Sequence, residues 1–273
     1  MSATTEEGLL LRLTGPLQSW GERSHFNERD TARFPTRSGI IGLIAAALGR
    51  HRGAGIDDLT GLSITVRTDR PGIILRDLHT VGGGLPAKAT VTTAEGKKRP
   101  GDTGTLLTHR SYLADAAFTL ALTAGGDNAL LRRVATALAA PHWPPYLGRR
   151  SCPPEGPLLL GRFDDVLLHL VHLPLAALAP QGDTGAIEFL SDRPLDHLPA
   201  PQASTQPGTD TGTDPAGEIN DQPLSFHTRQ RTYRSRPLYR RTLRLSAAQH
   251  TGLGTDHLRA LATYLNQPEG SPR

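Results

Sequence analysis

Gly8-Leu-Leu-Leu-Arg-Leu-Thr14 is a short apolar run closed by Gly15-Pro16, the punctuation of a buried strand. Thr36 or Ser38 can cap an apolar helix running from Gly39 to about Gly49, where a glycine stops it. Leu62-Ser-Ile-Thr-Val-Arg-Thr68 alternates apolar and polar residues as a half-buried strand does. Arg70-Pro-Gly72 turns the chain, and Ile73 to His79 is predicted as the hairpin partner of that strand. From Val81 to Thr105 the pattern dissolves into Gly82-Gly-Gly84, Lys88, Lys97-Lys-Arg99 and Gly101. No core can be built from that composition, so a long excursion leaves the domain here. Ala116 to Leu122 resumes as a strand, and Ala129 to Ala139 as a helix with Arg132 and Arg133 on its wet side. Strand, helix, strand, strand, excursion, strand, helix is an α+β order. It is close to a ferredoxin-like or RNA-recognition-motif sandwich with an insertion.

Beyond Pro141 the chain is rich in proline, with one further strand predicted at Val166-Leu-Leu-His-Leu-Val171. This divides the chain into residues 1–140 and a smaller, β-rich region at 141–273. Pro199 to Pro223 is a Pro/Thr/Gly/Asp tract that reads as a flexible linker. Charge then separates sharply. Asp183 to Asp221 holds eight acids and one arginine, whereas His227 to Arg244 holds seven arginines and no acid.

The net charge is only +4, yet 27 of the 30 basic residues are arginine. Arginine stays charged and grips phosphate through a planar fork, which suits nucleic acid. A high-GC codon bias would raise arginine together with Ala, Gly and Pro, so position carries more weight than count. A single cysteine, Cys152, excludes an internal disulfide and any Cys-rich zinc site, and fits a reducing cytoplasm. The first residues lack a basic n-region, and the longest apolar run, Gly39 to Leu48, is too short to span a bilayer. A cytoplasmic protein without a membrane partner is expected.

Four stretches could bind an anionic polymer. Gly15-Pro-Leu-Gln-Ser-Trp-Gly21 breaks at a strand end, where Trp20 either stacks on a base or plugs the core. In Arg33-Phe-Pro-Thr-Arg-Ser-Gly39 two arginines flank a helix mouth whose free N–H groups suit an anion, although the dipole there disfavours their own charge. It is no Walker loop, because the Gly-Lys-Ser/Thr ending is absent. Tyr146-Leu-Gly-Arg-Arg-Ser-Cys-Pro153 joins twin arginines to an aromatic ring, and Thr228 to Arg241 interleaves arginines with Tyr233 and Tyr239. Catalytic signals are thin. His79, His109 and Tyr112 could serve a metal-free ribonuclease but sit at no diagnostic spacing. His169 and His172 are expected on or beside an apolar strand, Asp164-Asp165 in a turn, and no histidine pair has metal-ligand spacing.

Five ordered segments carry a resemblance. They are Leu11 to Gly21, Arg33 to Leu43, Arg76-Asp-Leu-His-Thr-Val81, Arg110-Ser-Tyr-Leu-Ala-Asp-Ala-Ala-Phe-Thr119 and Tyr146 to Pro153. Together they closely resemble the CasD family of type I-E CRISPR Cascade subunits. The resemblance implies an RNA-recognition-motif-like domain with a β-hairpin thumb at 81–111. It implies a non-catalytic subunit that caps the 5′ handle of CRISPR RNA (crRNA). The implied partners are the backbone hexamer subunit and the large PAM-recognising subunit, with target DNA contacted only indirectly. No cofactor or metal is implied. The RNA-binding residues it points to are Gln18, Trp20, Arg33, Arg37, Ser38, His79, Lys88, Arg110, Tyr146, Arg149 and Arg150. Of these, Arg33, Arg37, Arg149 and Arg150 would grip phosphates, while Trp20 and Tyr146 shape or stack within the pocket. Arg37→Glu with Arg149→Glu is then expected to abolish handle binding with the fold intact. Type I-C relatives cut repeat RNA themselves, so a metal-independent endoribonuclease using His79, His109 and Tyr112 is the alternative.

Overall fold

In the computed structural model, residues 5–21, 24, 25, 27–82, 86–93, 96–98, 104–179, 185–199, 212–227 and 230–267 are described. Gly8–Thr14 forms β1, followed by the two-residue strands β2 (Leu17–Gln18), β3 (Ser24–His25) and β4 (Glu28–Arg29). Next come α1 (Arg37–Ala47), β5 (Ser63–Arg70), β6 (Ile73–Val81), β7 (Leu106–Ala114), β8 (Ala117–Thr123) and α2 (Asn128–Ala139). The chain continues through β9 (Leu159–Phe163), α3 (Val166–His172), β10 (Ala186–Ser191), β11 (Pro215–Phe226), β12 (Arg231–Arg244) and α4 (Gly254–Leu265). The larger sheet is antiparallel in the order β11-β12-β10-β5-β8-β1-β9. Its hydrogen bonding is continuous across residue 140, since β1, β5 and β8 precede that point and β9 to β12 follow it.

The sheet is covered on both faces, which explains why β1 is apolar almost without alternation. Leu9, Leu11 and Leu13 point into one core with Ile40, Ile44, Phe118, Leu120 and Val134, beneath α1 and α2. Leu10 points the other way, into a second core with Val166, Leu170, Phe189, Leu243 and Leu261 beneath α3 and α4. Burying a Leu or Phe side chain contributes about 1.5–3 kcal/mol each, so these two layers set the architecture.

Three sequence expectations are corrected here. Ile73 to His79 does not pair with the strand before it. β5 lies between β8 and β10, whereas β6 pairs with β7 over nine registered positions from Ile73↔Ala114 to Val81↔Leu106. Gly72, at φ +69, steers the chain out of the large sheet, and a Cβ there would lie 2.6 Å from the Ala114 carbonyl oxygen. β6 exposes Ile73, Ile74, Leu75 and Leu78, so it was never a half-buried core strand. β2 and β4 also pair with β7, giving a second, five-stranded sheet with β3 at its far end.

Second, 166–171 is helical. A six-residue apolar run cannot distinguish strand from helix by period alone. Asp165 decides it, because its carboxylate accepts from the Leu168 N–H at 3.1 Å and caps α3. His169 is therefore a buried helix residue, packed on Phe163 and within hydrogen-bond distance of the Tyr264 hydroxyl at 3.2 Å.

Third, the tract expected as a linker at 199–223 contains structure. Residues 200–211 lie outside the described residues, but 215–223 belong to β11, which buries Ile219, Asp221 and Pro223 in strict alternation. The period of two was hidden because one inward residue is an acid and another is proline. Within the 81–111 span expected as a thumb, the described connection between β6 and β7 holds a short 3-10 turn at Ala87–Ala89 and a bridge from Thr92 to Lys98.

Candidate nucleic-acid interface

The end of β1 and the mouth of α1 are locked by two residues expected to touch RNA. Gln18 Nε2 donates to the Leu13 and Ala116 carbonyls at 3.0 and 2.9 Å, and its Oε1 accepts from Trp20 Nε1 at 2.9 Å. The Trp20 ring is fully buried, lying against Gly39, where an added Cβ would meet it at 2.7 Å. Neither side chain reaches solvent, so both build the wall of the site rather than contact a ligand.

Arg37 is likewise turned inward. Thr36 caps α1 by accepting from the Gly39 N–H at 3.3 Å, and Arg37 opens the first turn. Its guanidinium pairs with Asp192 and donates to the Thr60 carbonyl at 3.0 Å, with only 4 % of the residue exposed. Burial pushes the Asp192 carboxyl upward against the pull of Arg37. The backbone N–H of Arg37 donates to Asp221 Oδ2 at 2.6 Å, and Asp221 also holds Arg236 through two bonds at 2.6 and 3.0 Å. The anion expected at this helix mouth is thus supplied by β11. Arg37→Glu would place a second acid beside Asp192, so the expected intact fold of the double variant is withdrawn. Arg33 stays exposed, and Ser38 is half-buried on the wall of the cleft described below.

The Tyr146 to Pro153 loop closes around its glycine. Ser19 donates to the Leu147 carbonyl at 3.0 Å, Leu147 to Cys152 at 2.7 Å, and Cys152 back to Arg149 at 2.9 Å. Gly148 has φ +85, and a Cβ there would lie 1.7 Å from the Ser19 carbonyl oxygen. Gly148→Ala should therefore cost about 2–4 kcal/mol, combining a strained φ with overpacking against immovable backbone. A lower denaturant midpoint with unchanged slope would register it, and a wild-type midpoint would contradict the packing described. Arg149 donates to the carbonyls of Ser111, Arg29 and Asp30 at 3.1, 3.0 and 3.1 Å and stacks over Tyr112 at 4.8 Å. It fastens the loop while keeping its charge at the surface. Cys152 is buried, which pushes its thiol above the ordinary value and keeps it unreactive.

These elements enclose a cleft of about 1520 Å³ between α1, the turn after it, the 143–153 loop and the free end of the β11–β12 hairpin. Its lining among the described residues includes Arg29, Arg50, Arg52, Arg149, Arg150 and Arg231, and not one Asp or Glu. Such a one-signed wall concentrates anions, because its field is not cancelled locally. A side recess of about 400 Å³ gathers Arg52, Arg110, Tyr146, Arg149 and Arg150. Arg50 is the most compensated of the set, gripping Asp58 through bonds of 2.6 and 2.5 Å. Among the described residues, Arg52, Arg150 and Arg231 are exposed and make no ion pair, and the Arg110 Nε is buried without a partner. Trp143, Tyr146, Phe226 and Tyr233 supply ring surface.

Of the residues the sequence pointed to, Trp20, Ser38, Tyr146, Arg149 and Arg150 line the cleft and Arg110 the recess. Arg33, His79 and Lys88 line neither cavity. Arg29, Arg50, Arg52 and Trp143 line the cleft and went unnamed, while Arg231 lines it from within the basic stretch Thr228 to Arg241 that the sequence had singled out. Arg50-His-Arg52, directly after a helix stop, and His142-Trp-Pro-Pro-Tyr146 were the signals available for three of them.

The ribonuclease trio does not converge. Leu78 pairs with His109 and His79 with Thr108, and since cross-strand partners share a face, the two histidines lie on opposite faces of the hairpin. Tyr112 is buried beneath Arg149, and His109 is 3.0 Å from Glu28. Among the described residues no group of three His, Cys, Asp or Glu could hold a metal, and no helix is long and apolar enough to cross a membrane.

The chain is similar to known proteins over most of its length. It is 40 % identical over 162 residues to the CRISPR system Cascade subunit CasD of Escherichia coli (strain K12), covering 56 % of this chain and 70 % of that one. A chain of a CRISPR RNA-guided surveillance complex superposes with a TM-score of 0.79 at 41 % identity, covering 95 % of this chain and all of the other. A crystal structure of a Cas protein matches with a TM-score of 0.57 at 29 % identity, over 90 % of this chain and 98 % of that one. A family model described as CRISPR-associated protein (Cas_Cas5) matches residues 8–239. By that span, and by the fold it shares with these relatives, the chain belongs to the CRISPR-associated Cas5 family.

Proposed function

We propose that this protein is a non-catalytic, crRNA-binding subunit of a Cascade-type surveillance complex, and that the arginine cleft holds the 5′ handle of the crRNA. The single observation that carries the reading is the cleft itself, whose described lining has six arginines, no carboxylate and interleaved aromatic rings. Cations that neutralise phosphates together with rings that accept bases are what single-stranded RNA requires. The similarity to Cascade subunit CasD supports the same assignment. The strand order β5-β8-β1-β9, crossed by α1 and α2, supports an RNA-recognition-motif-like core, with the β6–β7 hairpin as its thumb. In this reading the remaining surfaces meet the backbone and large PAM-recognising subunits, and target DNA is reached only through them.

Purified protein titrated into labelled single-stranded RNA carrying the 5′ part of the cognate repeat should show saturable binding that weakens steeply with salt. The RNA should remain uncut in a metal-free incubation. A discrete cut would revive the endoribonuclease, and a salt-insensitive or absent interaction would remove the handle assignment.

A further inference from the structure

Trp143 is built into the cleft in a way that phosphate binding alone does not explain. It sits in His142-Trp-Pro-Pro-Tyr146, where two prolines fix the backbone on its C-terminal side. His142 anchors the other side, donating its backbone N–H to the Ala47 carbonyl at the end of α1 at 2.9 Å. Its ring fits against Gly49, where a Cβ would approach it at 2.9 Å. The Trp143 ring is then braced by two imidazoles. His142 lies 4.9 Å away at 73° and His51 5.2 Å away at 64°, both edge-on.

The indole nevertheless stays half-buried, lines the cleft, and its N–H has no acceptor among the described residues. A core tryptophan in this chain looks different, because Trp20 is sealed and its N–H is satisfied by Gln18. Arg52 and Arg150, which pair with no acid among the described residues, share the cleft with Trp143, and the β12 side contributes Tyr233. A rigid ring with an unused donor, set among phosphate-gripping arginines, matches the requirements of an unstacked base better than those of a backbone contact.

We infer that Trp143 is a stacking platform for one unpaired base of the bound RNA, held in position by His51 and His142. This rests on the functional reading above and adds to it a contact that recognises the single strand itself. Stacking is indifferent to ionic strength, whereas each arginine contact is not. The two contributions can therefore be separated in one titration series.

The experiment uses the full chain as wild type, Trp143→Phe and Trp143→Leu, with unlabelled single-stranded RNA carrying the 5′ part of the cognate repeat. Binding is followed by tryptophan emission and by competition across a salt series, and thermal midpoints are compared. The chain has two tryptophans and Trp20 is buried, so RNA should quench wild-type emission and leave that of Trp143→Phe unchanged. Trp143→Leu should bind about tenfold more weakly with the salt slope of wild type, and Trp143→Phe within about threefold of wild type. Wild-type affinity of Trp143→Leu without quenching in wild type would overturn this inference alone, leaving the handle site standing. A fall in salt slope or thermal midpoint in Trp143→Leu would also overturn it, assigning the ring to shaping the arginine wall. Absence of RNA binding by wild type would remove both readings.

Discussion

Arg37→Ala should lose about 3–5 kcal/mol of folding stability, the cost of removing one partner from a buried ion pair. Against a total of about 5–15 kcal/mol for a folded domain, that is among the largest effects any single substitution here can have. The loss does not arise from attraction forgone, since a buried pair contributes little net stability. It arises because Asp192, 9 % exposed at its side chain, would keep a charge held by the Ile64 N–H at 3.1 Å and by the weaker pull of Arg236 and Arg193 alone among the described residues. The same substitution frees the Thr60 carbonyl and uncouples α1 from the strand end after β10. The sign of the pH dependence follows. Burial already raises the Asp192 carboxyl above 3.8, and removing Arg37 raises it further. A folded-state value above the unfolded one gives stability that is present at low pH and lost as pH rises through the folded value. The deficit of Arg37→Ala relative to wild type should therefore shrink as pH is lowered toward 4. Adding Asp192→Asn should recover much of it at neutral pH. Denaturant unfolding at two pH values measures both, and a pH-independent deficit would contradict the buried-charge explanation.

The triple variant Arg52→Ala, Arg150→Ala, Arg231→Ala should fold as wild type and bind RNA far more weakly. All three side chains are exposed and form no ion pair with the described residues, so their removal should change stability by no more than about 0.5 kcal/mol. Each phosphate contact on a single strand contributes about 0.7 to the slope of log affinity against log salt, giving a reduction of about 2 for three contacts. At about 0.15 M salt the same term amounts to roughly a fiftyfold loss of affinity. Arg50 is a suitable control. Its charge is held by Asp58, which keeps its own carboxyl below the ordinary range, so its replacement should change stability more than RNA affinity. An unaltered salt slope in the triple variant would show that RNA runs elsewhere.

Arg37 and Arg150 illustrate how much of the site was legible. Both stand in arginine-bearing segments shared with the same family resemblance, and in the linear sequence nothing separates them. The partners that bury Arg37 lie at Thr60, Asp192 and Asp221, up to 184 residues away, and no local pattern announces them. Arg150 has no such partner among the described residues. Gln18 and Trp20 were drawn into the core by the same kind of distant contact, through Ala116 and Gly39. The cleft residues that only the fold brings together follow from the same cause. Arg231 reaches the cleft because β11 and β12 fold back over α1, and the register that brings them there is set by Asp221 and Phe226.

By itself the sequence determined the elements whose cause is local. β1, β8, α1 and α2 follow from apolar period, caps and glycine stops that act within a few residues. It also determined that the chain carries a cation set suited to phosphate, and the ordered motifs that mark its family. Tertiary structure alone decided which strand Ile73 to Val81 joins, that 166–172 coils as a helix, and that the acid-rich tract ends as a strand. It also decided which arginines face a ligand and which face an aspartate. Those outcomes depend on desolvation and on partners distant in the chain. Burial turns an arginine into a structural ion pair or leaves it as a free charge, and burial is a property of the assembled fold.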